Sequence, residues 1–387
     1  MIAVVASRGV SGLPEIAGNT WTFLQYVIGL GRLGVETYWV DHQPKLDPRL
    51  PAQKGRARPH EDCHSVDYVS ARFHEMARAF GFDGRYSILY DDQTSFGLGL
   101  SALCDLARDA DVLLNIAGPL DASSPLLEIE RRAYVDLDPG FTQIWAQQLK
   151  LSLDKYDFFF TVGQNVGRPE FKVPTLGIGW EPFLPPVVLD LWPAHIDASC
   201  KRFSTIGDWH GSQYAHFDGE LYGGKREEFM RFFELPKRAQ RPIEVALCMF
   251  QHDYEDLGLL MRNGWIVRDP YLYAGNLESY REFIQVSRAE LSVAKGGYVR
   301  SGSGWVSDRT ACYLASGKPA VIQSTRAEEH LPTGMGLLTF ETGEQACSAL
   351  DAVDDAYLEH CQAARRIAET YFDSDIVLAS ILDRVGA

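Results

Sequence analysis

Short apolar runs alternate with stretches of helical periodicity along the whole chain. Ile2–Ala6, Val35–Val40, Tyr86–Tyr90, Val112–Ile116, Arg132–Leu137 and Asp157–Val162 read as strands. Most are continuously apolar, as strands covered on both faces must be. Thr20–Leu33 repeats its apolar residues with a helical period and stops at Gly34. The rhythm returns after residue 200, with strands at Arg202–Ile206, Ile243–Met249, Trp265–Val267, Glu290–Ala294, Pro319–Gln323 and Leu337–Phe340. A helix is expected at Lys225–Glu234, and an almost wholly helical tail from Glu344 breaks near Phe372–Asp375. Four prolines in Gly179–Pro193 interrupt any regular element. The pattern predicts an α/β protein of two doubly wound, Rossmann-like domains facing a central cleft. The expected boundaries are 1–180, a Pro-rich linker 181–200, 201–370, and a last helix 371–387 packing back toward the first domain.

Composition narrows the partners. The formal net charge is −15, the wrong sign for non-specific attraction to nucleic acid or an anionic membrane. Seven cysteines without close spacing read as reduced thiols, not a disulfide framework. The N-terminus enters a strand directly and no apolar run reaches membrane-spanning length, so a cytoplasmic chain, monomeric or homodimeric, is expected.

Two motifs mislead. Gly29-Leu30-Gly31-Arg32-Leu33-Gly34 matches G-x-G-x-x-G by letter. A dinucleotide fingerprint needs a strand before it and a helix after it, and here the order is reversed. Gly34 reads as a left-handed helix stop. His60-Glu61-Asp62-Cys63-His64 holds metal-ligand types but no helical ligand spacing, and reads as a solvated loop.

The chemistry concentrates in Val293–Ser324. A strand ends, a Gly/Ser-rich loop follows, and a helix starts near Ser307 or Asp308. Gly296, Gly297, Gly302 and Gly304 allow close backbone approach, and a helix start favours an anion. Lys295, Arg300 and Arg309 add cations. The loop is therefore expected to hold a diphosphate, with Ser301, Ser303 and Trp305 alongside and Asp308 accepting from ribose hydroxyls. Weaker donor-side candidates are Trp209 in Gly207–Gly211, Asp269 with Tyr271 or Tyr273 for the base, and Gly12 in the first loop. Lys225 reads as solvated.

Ser303-Gly304-Trp305-Val306-Ser307-Asp308-Arg309 and Tyr313-Leu314-Ala315-Ser316-Gly317-Lys318-Pro319 resemble the SGW-x-SDR-x-x-x-YLASG-x-P of a group of bacterial GT-B glycosyltransferases. Leu331–Leu337 resembles the LP-x-G-x-G-L that follows there, and Trp21–Tyr26 with Gly29-Leu30 and Leu33-Gly34 resembles the group's first helix. The resemblance implies the GT-B fold and transfer of a sugar from a nucleoside-diphosphate sugar, UDP or dTDP, to a small-molecule, lipid or glycan acceptor. Many retaining GT-B enzymes carry two glutamates around a seven-residue spacer. Here Asp308 stands where the second acid is expected and no first Glu matches, so stereochemistry stays open.

With donors for the leaving diphosphate, neither metal nor cofactor is required. Asp136-Leu137-Asp138 is placed in the first domain, far from the diphosphate loop. A base for the acceptor hydroxyl belongs at a strand end of the first domain: Glu15, His42 beside Asp41, or Asp91 of the Asp91-Asp92 pair. The loops Gln43–Asp67 and Leu120–Glu130 would shape the acceptor site without naming the acceptor. A nucleotide-sugar epimerase, a sugar phosphorylase and a non-catalytic sugar-nucleotide binder remain alternatives.

Overall fold

The computed structural model describes residues 1–12, 16–43, 66–90, 94–118, 120–121, 123–211 and 214–386. The first sheet has eight strands: β1 (Ile2–Arg8), β2 (Glu36–Gln43), β3 (Tyr86–Tyr90), β4 (Thr94–Gly97), β5 (Val112–Ile116), β6 (Arg131–Asp136), β7 (Phe158–Thr161) and β8 (Glu181–Pro182). Their order is β4-β3-β2-β1-β5-β6-β7-β8. Only β3 and β4 pair antiparallel. In β5 every residue is buried, because helices cover both faces of such a sheet and leave no polar side for alternation.

After β9 (Phe203–Asp208) comes a small hairpin of β10 (Ala215–Phe217) and β11 (Glu220–Tyr222). The second sheet adds β12 (Ile243–Cys248), β13 (Trp265–Arg268), β14 (Ala289–Ser292), β15 (Ala320–Gln323) and β16 (Leu337–Phe340) in the parallel order β13-β12-β9-β14-β15-β16. Every expected strand is present. The pattern does not show β4, β8 or the hairpin, which are too short to carry a period.

Winding direction reverses beside β1 in one sheet and beside β9 in the other. At such a reversal the flanking loops leave in opposite directions and open a crevice outside the strand carboxyl ends.

The two domains share one hydrophobic cluster. Helix Ala17–Arg32 lies against the C-terminal helix Ser374–Val385 and helix Leu277–Gln285. Trp21 Nε1 donates to the Leu277 carbonyl at 3.0 Å. A Cβ at Gly29 would sit 2.5 Å from Leu378 Cδ1, whereas Gly31 faces open space. Gly34 is left-handed at φ +79°. The helical turn and close packing therefore account for this glycine run. Val187 and Phe372–Ser374 exchange backbone hydrogen bonds of 2.7 and 2.9 Å. They tie the Pro-rich segment to the break in the helical tail.

Candidate functional site

The crevice of the second sheet opens at the ends of β9 and β14. Helix Lys225–Phe229 and the short helix Gly296–Ser301 start there side by side. The Gly296 and Gly297 amides donate to the Gly224 and Gly223 carbonyls, each at 3.0 Å. A Cβ at Gly297 would lie 2.2 Å from the Phe141 ring, and one at Gly224 would lie 2.4 Å from the His210 carbonyl. These glycines let two backbones and a neighbouring domain meet. The expectation that Gly296 and Gly297 approach an oxyanion is corrected, since their amides already have protein partners.

The same crossing buries Lys225, which is 8% exposed. Its Nζ lies 2.9 Å from where a Gly207 Cβ would stand, and it makes no hydrogen bond or ion pair among the described residues. Burial, then the charges of Arg309 and Lys295, push its pKa down to about 7. A buried ammonium without a counter-ion sheds its proton or takes up an anion. Lys225 is thus not a solvated helix-start lysine. The residue type carries no sign of burial; the pair of glycines before it is the one local hint.

Arg309 is buried and each of its three side-chain nitrogens has a protein acceptor. Nε donates to Glu290 at 2.7 Å, Nη1 to the Ile206 carbonyl at 2.6 Å and Nη2 to Ser292 Oγ at 2.7 Å. It braces β9 against β14 and, contrary to expectation, does not offer its fork to a phosphate. Arg300 is a second correction: it points outward to an ion pair with Glu220 of the hairpin. Lys295 does face the crevice. Its Nζ bonds Asp138 Oδ1 at 2.9 Å and the Tyr298 hydroxyl at 3.0 Å, and Tyr298 also donates to Asp138. Asp138 follows β6 of the first domain, so the Asp136–Asp138 turn is in contact with this loop and not far from it. Asp136 is buried and anchors that turn by accepting from Thr142, Thr161, Gln143 and the Asp138 amide. Desolvation raises its pKa.

Residues 301–305 clasp the domains together. The Gly302, Ser303 and Gly304 amides donate to the Val299, Tyr298 and Thr325 carbonyls. Asn165 of the first domain donates its amide to the Ser303 carbonyl and its Nδ2 to the Gly302 carbonyl, both at 3.0 Å. Trp305 forms an isolated bridge with Gly163 and stacks on Tyr298 at 4.3 Å. Ser301 is fully buried against Gly140, where a Cβ would lie 3.0 Å from its Oγ. The expected phosphate cradle at 301–304 is therefore an interdomain joint. Asp308, expected to hold ribose hydroxyls, is half-buried and accepts from Thr22 Oγ1 across the domains at 2.6 Å.

Of the remaining candidates, Trp209 is fully buried in the second core, its Nε1 on Asp256 at 3.0 Å. It therefore has no face for a ligand. Asp269 caps helix Pro270–Ala274 through the Tyr271 amide. Gly12 lies against Gln43. His42 is 8% exposed, and neighbouring Asp41 gathers donors from Ser7, Val10, Ser11 and Gln43, fixing the first loop. Glu15, Asp91, Asp92, His60–His64 and most of Gln43–Asp67 lie outside the described residues. The crevice thus unites Lys225, Lys295 and Asp138, with Arg309 behind them.

No family model matches the chain, and no curated protein does. Solved structures match over its full length. An alpha-glucosyltransferase in complex with UDP-glucose and DNA containing an abasic site superposes with TM-score 0.61 at 13% identity, covering 100% of both chains. Anabaena Alr3699/HepE in complex with UDP gives 0.57 at 10%, over 100% of each. A glycosyltransferase from Rickettsia africae ESF-5 gives 0.51 at 11%, over 99% of this chain and 97% of that one. No described helix is long and apolar enough to cross a membrane. Two parallel, doubly wound sheets meeting over a shared crevice, and superposing end to end on these enzymes, give the chain the GT-B fold.

Proposed function

We propose that this chain transfers a sugar from a nucleoside-diphosphate sugar whose diphosphate binds between Lys225 and Lys295. The single observation that carries this reading is Lys225, a lysine buried at the carboxyl end of β9 with no ion pair among the described residues. A diphosphate supplies the missing charge. UDP or UDP-glucose in structural neighbours supports the class of ligand. As the bond to the anomeric carbon breaks, negative charge grows on the leaving diphosphate, and two fixed cations stabilise it there more than in the ground state. Their charge meets that need without a metal ion in the transfer step.

Lys295 is shared between the diphosphate and Asp138. A phosphate oxygen that shares Lys295 stands beside the Asp138 carboxylate, on the wall that belongs to the first domain. Asp138 thereby joins His42, Glu15 and Asp91 as a group to receive or orient the acceptor hydroxyl. The net charge of −15 favours a small-molecule, lipid or glycan acceptor over nucleic acid, unlike the neighbour solved with DNA.

The test is a thermal-shift panel of nucleoside diphosphates, followed by product analysis with labelled nucleotide sugars. One nucleotide should raise the melting temperature, a ligand at about 100 times its Kd adding roughly 2.7 kcal/mol. Lys225→Met should remove the shift while keeping the fold, because it substitutes an apolar chain of similar length. A full shift in that variant refutes the site; labelled sugar returned as an isomer, or never transferred, refutes the reaction.

A further inference from the structure

We infer that His210, His252 and Asp253 form a binding site for one divalent transition-metal ion of the zinc type, joining the loops after β9 and β12 at the rim of the crevice. His210 lies just beyond β9, while His252 and Asp253 lie just beyond β12. His210 Nε2 is 2.8 Å from Asp253 Oδ1, and His252 Nε2 is 3.8 Å from the same oxygen. All three donor atoms lie within 4.8 Å of one another. A hydrogen bond accounts for the first approach. It does not account for the second imidazole nitrogen, which is turned to the same oxygen at a distance too long for one.

The surroundings fit a ligand set. Asp253 is buried, with a side chain 5% exposed, and its second oxygen accepts the Phe250 amide at 2.7 Å. That contact fixes the carboxylate as an outer partner of a metal ligand would. The Phe250 ring lies beside both imidazoles, 5.2 Å and 10° from His252 and 5.3 Å and 33° from His210. The nearby cation, Arg226, spends its guanidinium on Asp256. Two imidazoles and one carboxylate form a donor set suited to zinc-class ions, with a fourth position left for solvent. Bonds of 2.0–2.2 Å place tetrahedral donors about 3.4 Å apart. The His252 side chain is 72% exposed and has room to close the remaining distance. No local spacing announces the site, because its ligands come from two strand ends that only the sheet brings together.

The inference does not rest on sugar transfer. The untagged full-length chain is dialysed against ZnCl2, and against CoCl2 with the visible absorption recorded. One ion per chain is expected, with a cobalt spectrum of low coordination number. His252→Ala removes an exposed ring and should leave the metal-free melting temperature unchanged while weakening zinc binding at least about tenfold. His252→Cys should restore binding and add a thiolate-to-cobalt charge-transfer band. Absence of stoichiometric uptake by the wild type, or equal affinity in His252→Ala, would overturn the site.

Discussion

Binding of the nucleotide sugar should take up a proton at Lys225. In the free protein, burial and the charges of Arg309 and Lys295 push this group down to about 7 from its ordinary 10.5. A diphosphate beside it favours the ammonium and returns the pKa toward the ordinary value. At about pH 8 roughly one free lysine in ten is then protonated, against nearly all in the complex, so binding absorbs close to 0.9 proton. Above this pH the affinity should fall nearly tenfold per unit. The assay is calorimetric titration in buffers of different ionisation heat, the slope of observed against buffer enthalpy giving the proton count. A nucleotide sugar is the right ligand, since a diphosphate esterified at both ends does not itself titrate near neutrality. A slope near zero in the wild type, or an undiminished slope in Lys225→Met, would refute the reasoning. The stability of the ligand-free chain carries the opposite sign. Its folded pKa lies below the unfolded one, so the unfolded chain holds more protons between about pH 7 and 10, and Lys225 makes stability rise with pH through that window.

Other perturbations separate framework from site. Arg309→Ala leaves Glu290 buried and unpaired and should cost about 3–5 kcal/mol in chemical denaturation; unchanged stability would return Arg309 to a ligand role. Gly29→Ala should destabilise by roughly 1–3 kcal/mol through its clash with Leu378 and Ser374. Gly31→Ala, facing open space in the same helix, should be neutral or gain up to about 1 kcal/mol; equal losses at both would contradict the packing. Asn165→Ala strands the Gly302 carbonyl and the His330 ring, which lies 2.6 Å from Asn165 Oδ1. It should cost about 1–3 kcal/mol and speed hydrogen exchange at 302–305, and unchanged exchange there would deny the clasp.

The alternation of elements is written locally, and so it was legible in the sequence. A strand covered on both faces must be apolar throughout, as Val112–Ile116 is, and a helix that ends at Gly34 says so through one left-handed glycine. Reversed strand and helix order around Gly29–Gly34 was enough to set aside a dinucleotide fingerprint. The crevice beyond the strand carboxyl ends of the second sheet follows from winding alone. Which residue does what does not. Arg300 and Arg309 are equally basic in the sequence, yet one meets Glu220 at the surface and the other is enclosed by Glu290, Ser292 and Ile206. Lys225 acquires its depressed pKa only because residues 223–224 cross 296–297 and enclose it beside two cations. The Ser301–Trp305 loop reads as a phosphate cradle until the first domain supplies Asn165 and Gly163 to occupy it. The physical reason is that backbone preference and strand burial act over a few neighbouring residues. The fate of a charge depends on its solvent and its counter-ion, and both are set by chain segments beyond that local range, 19 residues away for Arg309 and Glu290 and 80 for Arg300 and Glu220.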